Sequence, residues 1–287
     1  MGFPVERVLV TGGKGMLART LARVLAPDCA VVPSDLPETD VTDAAAVDAT
    51  LAAAAPDAVV HCAAMTAVDR CETEHDLAFR INRDGAANVA RACARRGVRL
   101  IAISTDYVFD GDLDRPYRES DSATGGRTVY GQSKFAGEEA VRALCPDHAI
   151  VRISWLYGAG GPSFVHAMAA LADGGRRSVK VVDDQRGNPT SALAVSRELR
   201  AILARPELRG TFHATCEGEA TWADFAREFF RLSGRNCAVE PCTTDEFPRP
   251  APRPRNSRLE KARLREEGLP AMPDWRDALA EFVAGGL

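Results

Sequence analysis

"RVLVTGGKGMLARTLARVLA" runs from Arg7 to Ala26. Val8 to Val10 form an apolar run that ends in glycines. Apolar residues then recur at helical spacing from Met16 onward. A buried strand therefore passes directly into a helix. The loop between them reads T-G-x-x-G-x-x-A, with Gly12, Gly15 and Ala18 at the small positions. Gly12 permits the tight turn, and Gly15 lets the backbone approach a pyrophosphate. Ala18 leaves room for close helix–strand packing. The first helical turn, at Met16 and Leu17, offers unpaired N–H groups to phosphate. Such a loop after the first strand predicts a dinucleotide site on a parallel, doubly wound α/β sheet.

The chain beyond it supports that fold. Residues 30–35, 58–64, 99–105 and 149–158 read as further strands. Residues 42–56 form an alanine-rich helix with Thr42 as its N-cap, and 75–97 a long helix closed by Gly97. This alternation implies right-handed crossovers and a Rossmann domain over residues 1–157. After Gly158 the rhythm loosens. Residues 178–192 form a strand followed by a Gly/Pro loop, and 210–216 a short strand. An amphipathic helix capped by Thr221 covers 221–234, and a closing helix 273–286. Residues 158–287 are expected to form mainly a smaller α/β substrate lobe, with 192–212 rejoining the first domain. "EFPRPAPRPRNSRLE" (246–260) reads as an extended, polyproline-like connection.

Composition narrows the function. A net charge of -4 argues against a general nucleic-acid binder. The apolar runs are too short for a membrane span, and the amino terminus lacks a signal-peptide pattern, so the expected location is cytoplasmic. None of the eight cysteines forms C-x-x-C or pairs with histidine at metal spacing. They read as small, mostly buried thiols in a reducing compartment.

The end of the second strand should select the cofactor. Asp35 suits a free ribose 2′-hydroxyl and favours NADH, whereas Lys14 suits a 2′-phosphate and favours NADPH. The two signals conflict, and NADPH is slightly preferred. Asp40 and Val41 are expected beside the adenine.

Reduction of a ketone also needs a proton donor. Tyr130 precedes Lys134 by one helical turn, so a lysine ammonium can favour the phenolate and bring the tyrosine pKa down. The lysine can also bond the nicotinamide ribose. Ser104 and Thr105 end a buried strand, where α/β sheets place their ligands. Thr105 would hydrogen-bond the carbonyl.

On these residues the sequence resembles the extended short-chain dehydrogenase/reductases. Within them it resembles the dTDP-4-dehydrorhamnose reductase family. The matching segments include "AAMTAVDRCETE" (63–74), "STDYVFDG" (104–111), "VYGQSKFAGE" (129–138), "VRISWLYG" (151–158), "VVDDQRGNPTSA" (181–192) and "RPRNSRL" (253–259). The resemblance implies NAD(P)H-dependent reduction of the C4 ketone of a dTDP-4-keto-6-deoxy-L-hexose. It implies a catalytic triad of Thr105, Tyr130 and Lys134. Ala63, Ala64 and Met65 would line the cofactor. Asp106, Tyr107 and Trp155 would shape the sugar pocket, and Arg253 and Asn256 would lie near the diphosphate. That gives the proline-rich stretch a second reading, as a phosphate clamp. An epimerase or dehydratase of the same superfamily, or a non-catalytic dinucleotide-binding regulatory subunit, is the alternative. Asp106–Tyr107 lacks the Asp–Glu pair that a dehydratase would want after the strand-end threonine.

Departures matter too. "HCAAMT" (61–66) stands where the family often has "NAAAYT", so Met65 replaces an aromatic, and His61 is expected to be a buried structural residue. Some family members dimerise through metal-bridged carboxylates. Here Arg19–Thr20 and Leu193 occupy two of the acidic positions. The expectation is no metal, and a monomer or a homodimer bridged without metal. Light scattering with and without Mg²⁺ should give the same mass; a magnesium-dependent dimer would contradict it.

Overall fold

The computed structural model describes residues 2–285. Its first half contains β1 (Arg7–Thr11), α1 (Met16–Leu25), β2 (Ala30–Ser34), α2 (Ala44–Ala54) and β3 (Ala58–His61). Short helices α3 (Val68–Cys71) and α4 (His75–Phe79) lead into α5 (Ala86–Arg96), then β4 (Arg99–Thr105), α6 (Val129–Leu144) and β5 (His148–Ile153). The second half holds β6 (Leu156–Tyr157), α7 (Phe164–Asp173), β7 (Ser178–Val182), β8 (Arg186–Gly187), β9 (Thr190–Ser191) and α8 (Ala192–Leu203). It ends with β10 (Gly210–His213), β11 (Ala220–Thr221), α9 (Trp222–Ser233), β12 (Ala238–Cys242), α10 (Ala262–Glu266) and α11 (Trp275–Ala284).

Six strands form one parallel sheet in the order β10-β5-β4-β3-β1-β2. The chain leaves β1 toward one edge and returns at β3 on the other side. The crevice between the ends of β1 and β3 is therefore the topological switch point, where such sheets bind ligands. Strand alternation explains why both faces are buried. Val8 and Val10 pack with Leu17 and Leu21 of α1 and Leu199 of α8. Leu9, between them, packs on the opposite side with Val89 and Cys93 of α5. The second half adds two-stranded pairs, β7 with β12 and β8 with β11. Its centre is aromatic: Tyr157, Phe225 and Trp275 are buried together.

Several elements differ from the sequence expectation. Asp43, not Thr42, caps α2; its carboxylate accepts from Ala45 and Ala46 N–H, and a carboxylate suits a helix N-terminus. The strand expected to reach residue 64 stops at His61, because Met65 is drawn away from the sheet. The helix expected over 75–97 is interrupted by a π-helical turn, Arg80–Gly85. Buried Asn82 in that turn points at Met65. The strand expected over 149–158 breaks at Trp155, whose φ is 45°, and resumes as β6. The proline-rich stretch is a solvated linker only at its start: residues 246–250 are exposed, whereas Asn256, Ser257, Arg258 and Leu259 are all buried. It crosses from Tyr117, through the Tyr117–Leu259 bridge, to Arg186, through the Arg186–Asn256 bridge. By contrast, Gly97 ends α5 at φ 63°, and Thr221 caps α9 in a capping box, as expected. All eight cysteines are free, and six of them are buried.

Glu198 on α8 is buried, and its Oε1 has no hydrogen-bond partner among the described residues. Burial raises its pKa from 4.5 to about 7. Between those values the folded chain holds a proton that the unfolded chain has lost, so stability falls as pH rises through this window. Glu198→Gln should therefore raise the stability at pH 8 by on the order of 2–3 kcal/mol, and change it little at pH 4.5. Urea melts at the two pH values measure this; equal effects at both would reject it.

Candidate active site

The site is built around the end of β1. Gly12 has φ 66°, and a Cβ there would lie 2.8 Å from Ala63. Only glycine lets the two strand ends approach this closely. Gly15 N–H donates to the Gly12 carbonyl at 2.9 Å, and α1 then begins without a side-chain cap and without an acid in its first turn. The N–H groups at Met16 and Leu17 thus face an anion site with no competing carboxylate. This cradle fits the pyrophosphate of a dinucleotide.

At the end of β2, Asp35 and Lys14 share one corner. The Lys14 N–H donates to Asp35 Oδ2 at 2.8 Å, and Lys14 Nζ donates to the Leu36 carbonyl. The two residues expected at the 2′ position are therefore neighbours in space. Asp40 is exposed and accepts the Thr42 N–H at 2.9 Å. Val41 is buried against Gly85.

On the other side of the crevice, the Ala63 N–H reaches Thr11 Oγ1 at 3.3 Å, and that hydroxyl also pairs with His61 Nδ1 at 2.7 Å. Burial lowers His61 to about 3, so it is neutral and structural. Met65 is held at both backbone atoms. Its N–H donates to Asn82 Oδ1 at 2.8 Å, and its carbonyl accepts from Asn82 Nδ2 at 3.1 Å. Asn82 Nδ2 also donates to Ser133 Oγ at 2.9 Å. Asn82 and Ser133 thus tie the turn at Met65 to α6. Sequence reasoning missed both; the available signal is an asparagine in the interior of an otherwise regular helix, which the periodic pattern absorbs.

Thr128 starts α6 by accepting the Gly131 N–H at 2.9 Å. That cap puts Tyr130 in the first turn and Lys134 one turn later on the same face. A Cβ at Gly131 would collide with the Tyr107 carbonyl, so α6 can begin directly over the end of β4. Lys134 Nζ donates to the Ile103 carbonyl at 2.7 Å, two residues before Thr105. Burial lowers Lys134 to about 8, and Glu138 opposes the fall. Tyr130 goes the other way from the expectation. Burial raises its phenol above the usual range, and hydrogen bonding with Thr105 opposes that only in part. The phenol therefore keeps its proton at neutral pH, as a donor must. Thr105, Tyr130 and Lys134 thus converge on one strand end.

Under them lies a charged layer that the sequence did not reveal. Arg152 and Arg142 reach Glu138 Oε2 at 2.7 Å each, and Ser104 Oγ donates to Glu138 Oε1 at 2.6 Å. Burial pushes Glu138 up, but Arg152, Ser104 and Arg142 outweigh it and keep it a carboxylate.

The residues expected at the sugar and diphosphate separate into two groups. Tyr107 and Arg253 line a cavity of about 400 Å³ with Phe109, Arg127 and Arg255. Tyr107 packs edge-on to Tyr130, with ring centres 5.5 Å apart, and Arg253 pairs with Asp69 at 2.9 Å. Trp155 stacks on Trp222 at 3.6 Å and donates to Ser257 Oγ at 3.0 Å. Asn256 does not face that cavity. Its amide donates to the Leu113 carbonyl at 2.5 Å and the Arg115 carbonyl at 2.8 Å, and its Oδ1 accepts from Arg258. Asp106 is buried behind Thr105.

The family model for the RmlD substrate binding domain matches residues 6–286. A dTDP-4-dehydrorhamnose reductase of Streptomyces griseus is 46% identical, over 97% of this chain and 93% of that protein. A probable dTDP-4,6-dihydroxy-2-methyloxan-3-one 4-ketoreductase of Streptomyces antibioticus is 44% identical, over 96% of this chain and 94% of that protein. The crystal structure of dTDP-4-dehydrorhamnose reductase from Bacillus anthracis, in complex with NADP, superposes with a TM-score of 0.95 at 37% identity. It covers 99% of this chain and 100% of its own.

Asn82→Ala would strip three buried polar groups of a partner. It should cost about 2–4 kcal/mol of stability and weaken NADPH binding. Urea unfolding and a fluorescence titration with NADPH test this, and wild-type values in both would remove Asn82 from the site.

Proposed function

We infer the function from this premise: the chain belongs to the family of the RmlD substrate binding domain, that of the dTDP-4-dehydrorhamnose reductases. It is an NAD(P)H-dependent oxidoreductase that reduces a dTDP-4-keto-6-deoxy sugar. The observation that carries this is the convergence of Thr105, Tyr130 and Lys134 at the end of β4, beside the glycine cradle. The finer reading is a substrate of the L-hexose series, giving dTDP-L-rhamnose or a close deoxysugar relative.

When bound, the nicotinamide cofactor supplies the hydride to C4. The protein's own groups do the rest. Gly12, Gly15 and the N-terminus of α1 hold the pyrophosphate, with Met16 and Leu17 as N–H donors. Ala63, Ala64 and Met65 form the wall opposite. Asp35 and Lys14 meet the adenosine ribose, and Asp40 and Val41 flank the base. Tyr130 delivers its proton to the C4 oxygen as negative charge develops there. Lys134 remains largely an ammonium below its pKa of about 8, steadies the resulting phenolate and anchors the nicotinamide ribose. Thr105 faces the same oxygen. Tyr107 and Trp155 shape the sugar pocket. Arg253 meets the diphosphate, where a guanidinium can bond two oxygens at once. Asn256 orders the segment that carries Arg253.

We also propose a division of labour. Residues 1–157 and 192–212 form the cofactor unit, since α8 packs on α1 and β10 extends the sheet beside β5. The remainder of 158–287 forms the substrate lobe. The eight free thiols suit the cytoplasm, and no described helix is long and apolar enough to cross a membrane. A monomer, or a homodimer without bridging metal, is the assembly we favour.

Supplied with a dTDP-4-keto-6-deoxy-L-hexose, the protein should oxidise one NADPH per sugar reduced, and the C4 configuration of the product identifies it. Tyr130→Phe should lower kcat by at least ~10²-fold while NADPH still binds. Full activity in that variant would refute the proton-donor role.

A further inference from the structure

A threonine hydroxyl has one hydrogen to donate and two lone pairs to accept with. At Thr105 one lone pair takes the Tyr107 N–H at 3.2 Å, and the hydrogen goes to Asp106 Oδ1 at 2.9 Å. Only a lone pair is left to face Tyr130. A hydroxyl set this way can accept the Tyr130 hydrogen but cannot donate to a ketone. It draws the phenol proton away from the oxygen that needs it. Reduction requires the opposite polarity, with donors aimed at the developing alkoxide.

We propose that Asp106 is a positioning residue that sets the polarity of the Thr105 hydroxyl. Ionised, Asp106 holds the Thr105 hydrogen away from the substrate. Protonated, it donates to Thr105 Oγ1 and turns that hydrogen toward the ketone. The inference rests on the ketone-reduction reading above and adds a residue to it. No bond to carbon changes; one carboxyl proton and one hydroxyl hydrogen exchange direction.

The surroundings of Asp106 fit a carboxyl that is protonated for part of the time. It is 3% exposed, and Oδ2 has no hydrogen-bond partner among the described residues. Its titratable neighbours are Tyr130 from α6 and Tyr107 from its own turn. From the proline-rich segment it meets Ser257, which is uncharged and already accepts from Trp155. No cation among the described residues pairs with it. Arg253 pairs with Asp69, and Lys134 points to the Ile103 carbonyl. Burial without a counter-charge favours the neutral acid. It lifts Asp106 to about 7, and the hydrogen bond from Thr105 opposes that only in part.

The test is kcat against pH, from about 5 to 10, for the wild type, Asp106→Asn and Thr105→Val, with the dTDP-4-keto-6-deoxy-L-hexose and NADPH. NADPH binding by fluorescence establishes that each variant is folded. Wild-type kcat should fall about tenfold per pH unit above about 7. The amide introduced by Asp106→Asn can donate to Thr105 and cannot ionise. In that variant the limb should therefore move up by about one unit, to the ionisation of Lys134 near 8. In Thr105→Val kcat drops, and the limb at 7 should again be missing. A limb at 7 that persists in Asp106→Asn overturns the proposal, as does a rise in KM with an unchanged kcat profile, which would mark a sugar contact. If Asp106→Asn fails to bind NADPH, Thr105→Val decides in the same way. Absence of turnover in the wild type would overturn the substrate reading, and the inference with it.

Discussion

The contact between Gly12 and Ala63 governs the rest of the molecule. β1 and β3 are neighbours in register, with Thr11 opposite His61, so their ends emerge side by side. A side chain at Gly12 would strike the Ala63 backbone. Because it has none, the strand ends close into a narrow crevice, and α1 opens into it with free N–H groups. Everything a dinucleotide needs from the fold, namely a tight turn, an uncapped helix and a smooth opposite wall, depends on that missing Cβ.

Holding the wall in place costs regularity elsewhere. Asn82 satisfies both backbone groups of Met65 and the Ser133 hydroxyl, and the helix around it relaxes into a π turn. Such turns commonly mark functional positions in helices, because they redirect one side chain without ending the element. The same amide that shapes the cofactor wall also touches the helix that carries Tyr130 and Lys134. The Met65 turn and the start of α6 are therefore joined through one amide.

Electrostatics in the site is arranged in layers. Glu138, Arg152 and Ser104 form a buried, mutually satisfied group one turn beyond Lys134, with half-buried Arg142 at its edge. A buried pair of this kind is weak evidence for stability, but losing either partner leaves an unpaired buried charge. Above it, burial is the largest influence, raising Tyr130 and Asp106 and lowering Lys134. The proton-carrying residues therefore sit where protonation is governed by desolvation rather than by ion pairs. The proline-rich strap completes the enclosure: Ser257 meets Trp155, and Arg258 pairs with Glu219 at 2.6 Å.

Local pattern determined much of this protein. Strand alternation, the glycine spacing and the Tyr130–Lys134 spacing are all short-range properties, and each is legible from residues a few positions apart. The tertiary structure decided what depends on residues far apart in the chain. Asn82 lies 17 positions from Met65 and 51 from Ser133, so no helical period records its purpose. Arg152 meets Glu138 only because β5 and α6 pack together. The strap looks solvated in sequence because proline and arginine suit exposed chain, and its first residues are exposed; its end is buried because Asn256 and Ser257 find partners on both halves of the molecule. The direction of the Tyr130 shift escapes the sequence for the same reason. Spacing puts a lysine beside it, but desolvation belongs to the whole fold, and it outweighs the neighbour.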